Sequence, residues 1–199
     1  SLAKHNGSSA HLRAVVSSFG ELGHDVELMM TAVEGAEALG VPVRPISRAR
    51  FAPALNKLAP ESVEKDGKRS TTAVLRALRR IWVNSAVEEA LTEQIERQRP
   101  DLVYERHSPF SVAGAVTARR LRCTHVLEVN APLAWEGAQH RGQALGDAAE
   151  VLERSAFAAT SRIVAVSDEL RDQLIADGAD PAKIRVVPNG VDAQRFCPD

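Results

Sequence analysis

Apolar residues recur at helical spacing between Ala10 and Leu22, at Leu12, Val15, Val16, Phe19 and Leu22, and Gly23-His24 stops that run ahead of the strand-like Val26-Glu27-Leu28-Met29-Met30. A second short strand is expected from Val41 to Ile46. Ser47 to Ser70 is rich in Pro, Gly and charge, with apolar residues too sparse for a core element, so it reads as an exposed excursion. From Thr71 to Gln98 there is neither Gly nor Pro, and apolar residues at 74, 75, 78, 81, 82, 91 and 95 predict one long amphipathic helix that Pro100 ends. The units then become short and regular. Leu102-Val103-Tyr104 reads as a strand, Ser111 to Leu121 as a helix and Thr124 to Val129 as a strand. A loop from Asn130 to about Gly142 leads into a helix reaching Ala159, followed by a strand from Arg162 to Val166. Ser167 supplies an N-cap and Asp168 and Glu169 the first-turn acids of the next helix, Gly178 closes it, and Ile184 to Val187 forms the last strand.

Strands separated by single helices imply crossover connections and a parallel sheet covered on both faces, an α/β Rossmann-like doubly wound domain. The 199 residues suffice for one large domain of this kind, here taken as 1–199. Only Ser1-Leu2-Ala3 stands where a first strand should precede the Asn6-Gly7-Ser8-Ser9 loop, so an incomplete first strand is expected. Two distant cysteines, Cys123 and Cys197, suggest neither a disulfide framework nor a zinc site. No membrane-length apolar run and no signal peptide are visible, so a soluble, cytoplasmic protein is expected.

The net charge of −1 is unevenly spread, for Arg44 to Arg80 holds ten Lys or Arg against three acids. This basic stretch, 44–80, is a candidate surface for an anionic acceptor or for peripheral contact with the inner membrane face, and equally a solvated charge run. With few aromatics and no recognisable motif, nucleic acid is not expected as a partner.

Three places carry candidate chemistry. Asn6-Gly7-Ser8-Ser9-Ala10-His11 enters the first helix, where small residues admit a ligand to the backbone and the free N–H groups of the first turn attract a diphosphate. It lacks the three-glycine dinucleotide fingerprint, and an ordinary turn with Ser9 as N-cap explains it as well. Glu105, Arg106 and His107 follow a strand and so belong at the carboxyl edge, where open α/β sheets bind ligands; they are candidates for acceptor positioning or a base, with a surface ion pair as the alternative. The loop 131–142 carries Trp135, Glu136, His140 and Arg141, a mixture suited to stacking on a pyranose and binding its hydroxyls, and also to a mobile loop. His24, between a helix end and a strand start, reads as a structural cap.

Gly7, His11 and Gly23-His24-Asp25-Val26, together with Pro100-Asp101-Leu102-Val103-Tyr104-Glu105-Arg106, Leu127-Glu128-Val129-Asn130-Ala131-Pro132-Leu133 and, most specifically, Lys183-Ile184-Arg185-Val186-Val187-Pro188-Asn189-Gly190-Val191-Asp192 with Phe196, resemble family 4 of the retaining GT-B glycosyltransferases. The likeness covers nearly the whole chain except 47–70 and implies the N-terminal, acceptor-side half of a GT-B fold. It implies transfer of a sugar from a nucleotide diphosphate sugar to a small-molecule, glycan or lipid acceptor with retention of configuration. The C-terminal donor-binding domain is expected to be absent from this chain, leaving the isolated domain inactive. Gly7 and Ser8 would lie beneath the donor diphosphate, Asn189-Gly190 would form the hinge, and no cofactor or metal is expected. Asn130 stands where many relatives have a histidine close to the donor sugar. An amide can orient a hydroxyl but cannot act as acid or base, so Asn130 and Glu105 are the catalytic candidates and Arg106, His107, Trp135, Glu136 and Arg141 the acceptor contacts. A stand-alone Rossmann-like module for a phosphorylated small molecule, and a GT-B sugar-nucleotide epimerase, remain alternatives.

Overall fold

The structure, a computed structural model, describes residues 7–47, 69–140 and 142–190, apart from the side chains of 69–72. Asn6, Arg141, Asp192 and Phe196 therefore lie outside the described residues, as does most of the 47–70 excursion. The chain divides into two compact units, 1–53 and 54–199.

In the first unit, helix α1 (Gly7–Glu21) leads to strand β1 (Leu28–Met30), a 3-10 turn at Glu37–Leu39 and strand β2 (Val43–Pro45), which pairs with β1 in parallel. The helix begins earlier than its apolar periodicity predicts. Ser9 therefore sits buried inside its first turn instead of capping it. The predicted stop is borne out in detail. Gly23 adopts φ +86°, its N–H reaches Gly20 O, and His24 N–H reaches back to Phe19 O, the paired bonds of a Schellman cap. The His24 ring meets the Phe19 ring edge-on at 5.7 Å, the side-chain contact that accompanies this cap.

The second unit opens with the long helix α2 (Arg69–Gln98), then β3 (Leu102–Arg106), α3 (Ala113–Arg120), β4 (Thr124–Val129), α4 (Leu133–His140), α5 (Gly146–Ala159), β5 (Arg162–Ala165), α6 (Asp168–Ala176), a 3-10 turn at Pro181–Lys183 and β6 (Ile184–Val186). Its four strands pair in parallel in the order β3-β4-β5-β6. A strand order that advances one way through right-handed crossovers lays its helices on one face. Accordingly Leu127, Val129, Ile163 and Ala165 from the strands pack with Ala115 of α3, Ala156 and Phe157 of α5, and Leu170 and Leu174 of α6 in one core. This is one wing of the expected doubly wound arrangement. Phe157, Leu127, Ile163 and Leu174 are wholly buried, each contributing about 1.5–3 kcal/mol by leaving water.

The cap at Ser167 is as predicted, its hydroxyl accepting from Leu170 N–H at 3.2 Å. Gly178 at φ +101° repeats the Schellman pattern, with Ala179 N–H on Leu174 O and both residues buried. The 131–142 segment departs from expectation: most of it is α4, an ordered helix and not a loop. Its fastening is tertiary. Glu153 of α5 accepts Ala134 N–H at the start of α4, and Ala134 packs with Ala77, Phe110 and Ala149. Among the described residues no helix is long and apolar enough to cross a membrane.

Candidate active site

The carboxyl ends of β3 and β4 bring together a polar cluster on the sheet face opposite the core. Parallel pairing sets Arg106 beside Glu128, two residues on from Tyr104 and two before Asn130, so all four share one face. Glu128 is buried, 2% exposed, and is the centre of the group. Its Oε2 accepts the Tyr104 hydroxyl at 2.8 Å, its Oε1 accepts the Asn130 side-chain amide, and Arg106 Nε lies 4.0 Å from Oε1. Burial, then the hydrogen bond to Glu128 and the negative charge of that carboxylate, push the Tyr104 phenol well above its ordinary value, so it remains a donor. Asn130 is half-buried at the rim.

Glu105 belongs to the other face. Its carboxylate accepts Ser111 Oγ–H at 2.6 Å and lies 3.1 Å from His125 Nε2, while His125 Nδ1 is 2.8 Å from Thr160 Oγ1. It also presses on α3, for a Cβ on Gly114 would fall 1.9 Å from Glu105 Oε2. Burial raises the proton affinity of Glu105, but hydrogen bonds from His125 and Ser111 and the nearby imidazoles outweigh it and hold the carboxyl below its ordinary value. Glu105 is thus held by partners within its own unit. A carboxylate with both oxygens engaged and lowered proton affinity is a fixed anion, poorly suited to serve as a base.

His107, expected at the acceptor, has its side chain only 2% exposed. Its Nε2 lies 2.9 Å from Glu153 Oε1 and its ring is 5.9 Å from that of Phe157, so it braces the loop behind β3 from inside and does not reach the rim. The same loop is held from α2. Asn84 donates to Ile81 O and Phe110 O, and its Oδ1 accepts Val112 N–H and Ala113 N–H, capping α3, which has no side-chain cap of its own.

Trp135 stands exposed on α4 with His140 edge-on at 5.4 Å, and Glu136 lies half-buried in the same helix. In the first unit, Gly7 and Ser8 form the exposed start of α1, and a Cβ at Gly7 would meet nothing within 4 Å. Asn189 and Gly190 are exposed beyond β6. Arg106, Asn130, Trp135 and Glu136 are thus accessible or partly so, whereas Glu105 and His107 are committed to internal partners. Glu128, His125, Glu153 and Asn84 were not singled out from sequence. Two of them carried a signal, as polar residues inside the apolar strand Thr124-His125-Val126-Leu127-Glu128-Val129. Among the described residues no group of three or more His, Cys, Asp or Glu could hold a metal ion.

Glycosyltransferase Family 4, as a family profile, matches residues 5–195. The chain belongs to glycosyltransferase family 4. Over 110 residues this family 4 chain is 27% identical to the Escherichia coli UDP-Gal:alpha-D-GlcNAc-diphosphoundecaprenol alpha-1,3-galactosyltransferase, a match covering 55% of the chain and 28% of that enzyme. Among solved structures it is similar to Anabaena Alr3699/HepE in complex with UDP and glucose, with TM-score 0.54 and 17% identity over 97% of the chain and 43% of that protein. It is also similar to the calicheamicin glycosyltransferase CalG4, with TM-score 0.51 and 18% identity over 90% of the chain and 49% of that protein. The chain thus spans less than half the length of each of these relatives. At such identities the structural likeness speaks for the fold, which is α/β with parallel sheets and GT-B neighbours.

Proposed function

We propose that this chain is the acceptor-side domain of a GT-B glycosyltransferase that moves a sugar from a nucleotide diphosphate sugar to an acceptor with retention of configuration. One observation carries the site assignment: in a family 4 chain, the carboxyl ends of β3 and β4 gather Tyr104, Arg106, Glu128 and Asn130 around a partly open rim. That edge is where open α/β sheets take ligands. Asn130 orients a sugar hydroxyl without exchanging a proton, and the leaving diphosphate takes the proton of the incoming hydroxyl. Gly7 and Ser8 lie under the diphosphate, Trp135 and Glu136 contact the acceptor, Asn189-Gly190 is the hinge to a donor-binding domain, and the domain alone is inactive. Arg141 and most of the basic 44–80 stretch lie outside the described residues, and Arg44 of that stretch is paired with Glu27 at 2.7 Å.

UDP-sugars are the first donors to try, because one relative uses UDP-Gal and a structural neighbour is seen with UDP and glucose. The polyprenyl diphosphate acceptor of that relative makes a lipid-linked glycan the first acceptor. The test is turnover by the intact enzyme carrying Asn130→Ala. A loss of about tenfold or more, assayed well below the unfolding temperature of the variant because Glu128 also loses a donor, is expected for a lost transition-state hydrogen bond, and normal turnover would remove Asn130 from the site.

A further inference from the structure

Glu128 and Asn130 form a pair whose hydrogen-bond grammar reaches beyond the rim itself. The two ends of an asparagine amide have nearly the same shape, and a substrate meeting the oxygen end finds an acceptor where the nitrogen end would offer donors. Here the choice is fixed from inside. Glu128 has its side chain only 3% exposed and its Oε2 occupied by the Tyr104 hydroxyl, so the carboxylate cannot swing away. Its Oε1 faces the Asn130 amide and takes the Nδ2 hydrogen. The flipped amide would set oxygen against a carboxylate oxygen, which is repulsive, so the nitrogen end is committed inward. Among the described residues nothing donates to Asn130 Oδ1.

We propose that Glu128 is a positioning residue that fixes the flip of the Asn130 amide, leaving Asn130 Oδ1 at the rim as an acceptor for a hydroxyl group of the bound sugar. This rests on Asn130 being a substrate contact, as proposed above. Glu128 acts through Asn130 and touches no substrate. Its buried charge supplies a directional constraint that a neutral side chain of the same shape lacks, because a glutamine at 128 can turn either end toward Asn130.

A swap of donor and acceptor across the pair tests this in the intact enzyme. Asn130→Asp puts two acceptor-only groups face to face and should lose turnover about as fully as Asn130→Ala. Adding Glu128→Gln to Asn130→Asp restores one donor against one acceptor, still leaves an oxygen at the rim, and should recover kcat by about tenfold, the worth of one hydrogen bond to a charged group. Glu128→Gln alone should lower kcat severalfold, and should have no further effect in an Asn130→Ala background. The swapped pair conserves the count of buried hydrogen bonds, and thermal unfolding of each variant separates misfolding from misorientation. A double variant Asn130→Asp/Glu128→Gln no more active than Asn130→Asp alone would overturn the inference while leaving Asn130 in the site. Full activity of Asn130→Ala would overturn both.

Discussion

Gly114→Ala should destabilise the second unit even though alanine favours a helix. The added methyl would stand 1.9 Å from Glu105 Oε2 and 2.8 Å from its Cδ, so the carboxylate must move. The displacement is sterically easy, since it involves the end of a flexible side chain. The cost lies in what that carboxylate leaves behind, the 2.6 Å bond from Ser111 and the 3.1 Å contact with His125. Two hydrogen bonds to a charged group are worth roughly 3–6 kcal/mol. Replacing a helical glycine returns about 1 kcal/mol. A net loss of about 2–5 kcal/mol is expected in urea unfolding at neutral pH. The effect also carries a pH signature. The folded carboxyl of Glu105 lies below its ordinary value of 4.5, so the stability it contributes is complete above that pH and is lost as pH falls through the folded pKa. Gly114→Ala releases the group toward its ordinary value, so the gap between variant and wild type should narrow as pH falls below about 4.5. In a Glu105→Ala background the methyl has room, and Gly114→Ala should then be neutral or slightly stabilising. Additive effects of the two substitutions, or a pH-independent gap, would refute the reasoning.

Three further outcomes follow from the same contacts. Asn84→Ala removes the amide that holds Phe110 O and caps α3, and should cost about 2–3 kcal/mol in denaturant unfolding, with the loop behind β3 losing protection from hydrogen exchange first. Ser167→Ala deletes the N-cap of α6 and should cost about 1 kcal/mol, with Ser167→Asp close to wild type. Gly7→Val meets open space within its own unit, so thermal unfolding should barely change while donor turnover falls steeply, and normal turnover would place the diphosphate elsewhere.

The elements most legible in the sequence were those whose signals are local. Ser167 with two following acids, Gly178 after the last apolar position, and Gly23-His24 behind a periodic run each state a helix end in adjacent residues. By contrast α4 is short, carries Gly137 near its middle and follows Pro132, so its own propensity is weak; it forms because Glu153 and an apolar cluster of Ala77, Phe110 and Ala149 receive it. The site divides the same way. Their place directly after a predicted strand puts Glu105, Arg106 and His107 at the carboxyl edge, and the family resemblance points to Asn130. Neither signal could tell that Glu105 lies under α3 facing His125, twenty positions away, because that pairing depends on the β3-β4 register and on the absent side chain at Gly114. The pairing of His107 is hidden from the sequence for a related reason: its partner, Glu153, is forty-six positions on and belongs to a helix.

Glu153 offers one oxygen to the imidazole behind β3 and the other to the first turn of α4. Segments that follow two different strands therefore hang from a single rotamer. Neither can be remodelled independently: a substitution that turns this carboxylate to suit one leaves the other unmoored, so any redesign of α4 must first be compatible with the imidazole it shares.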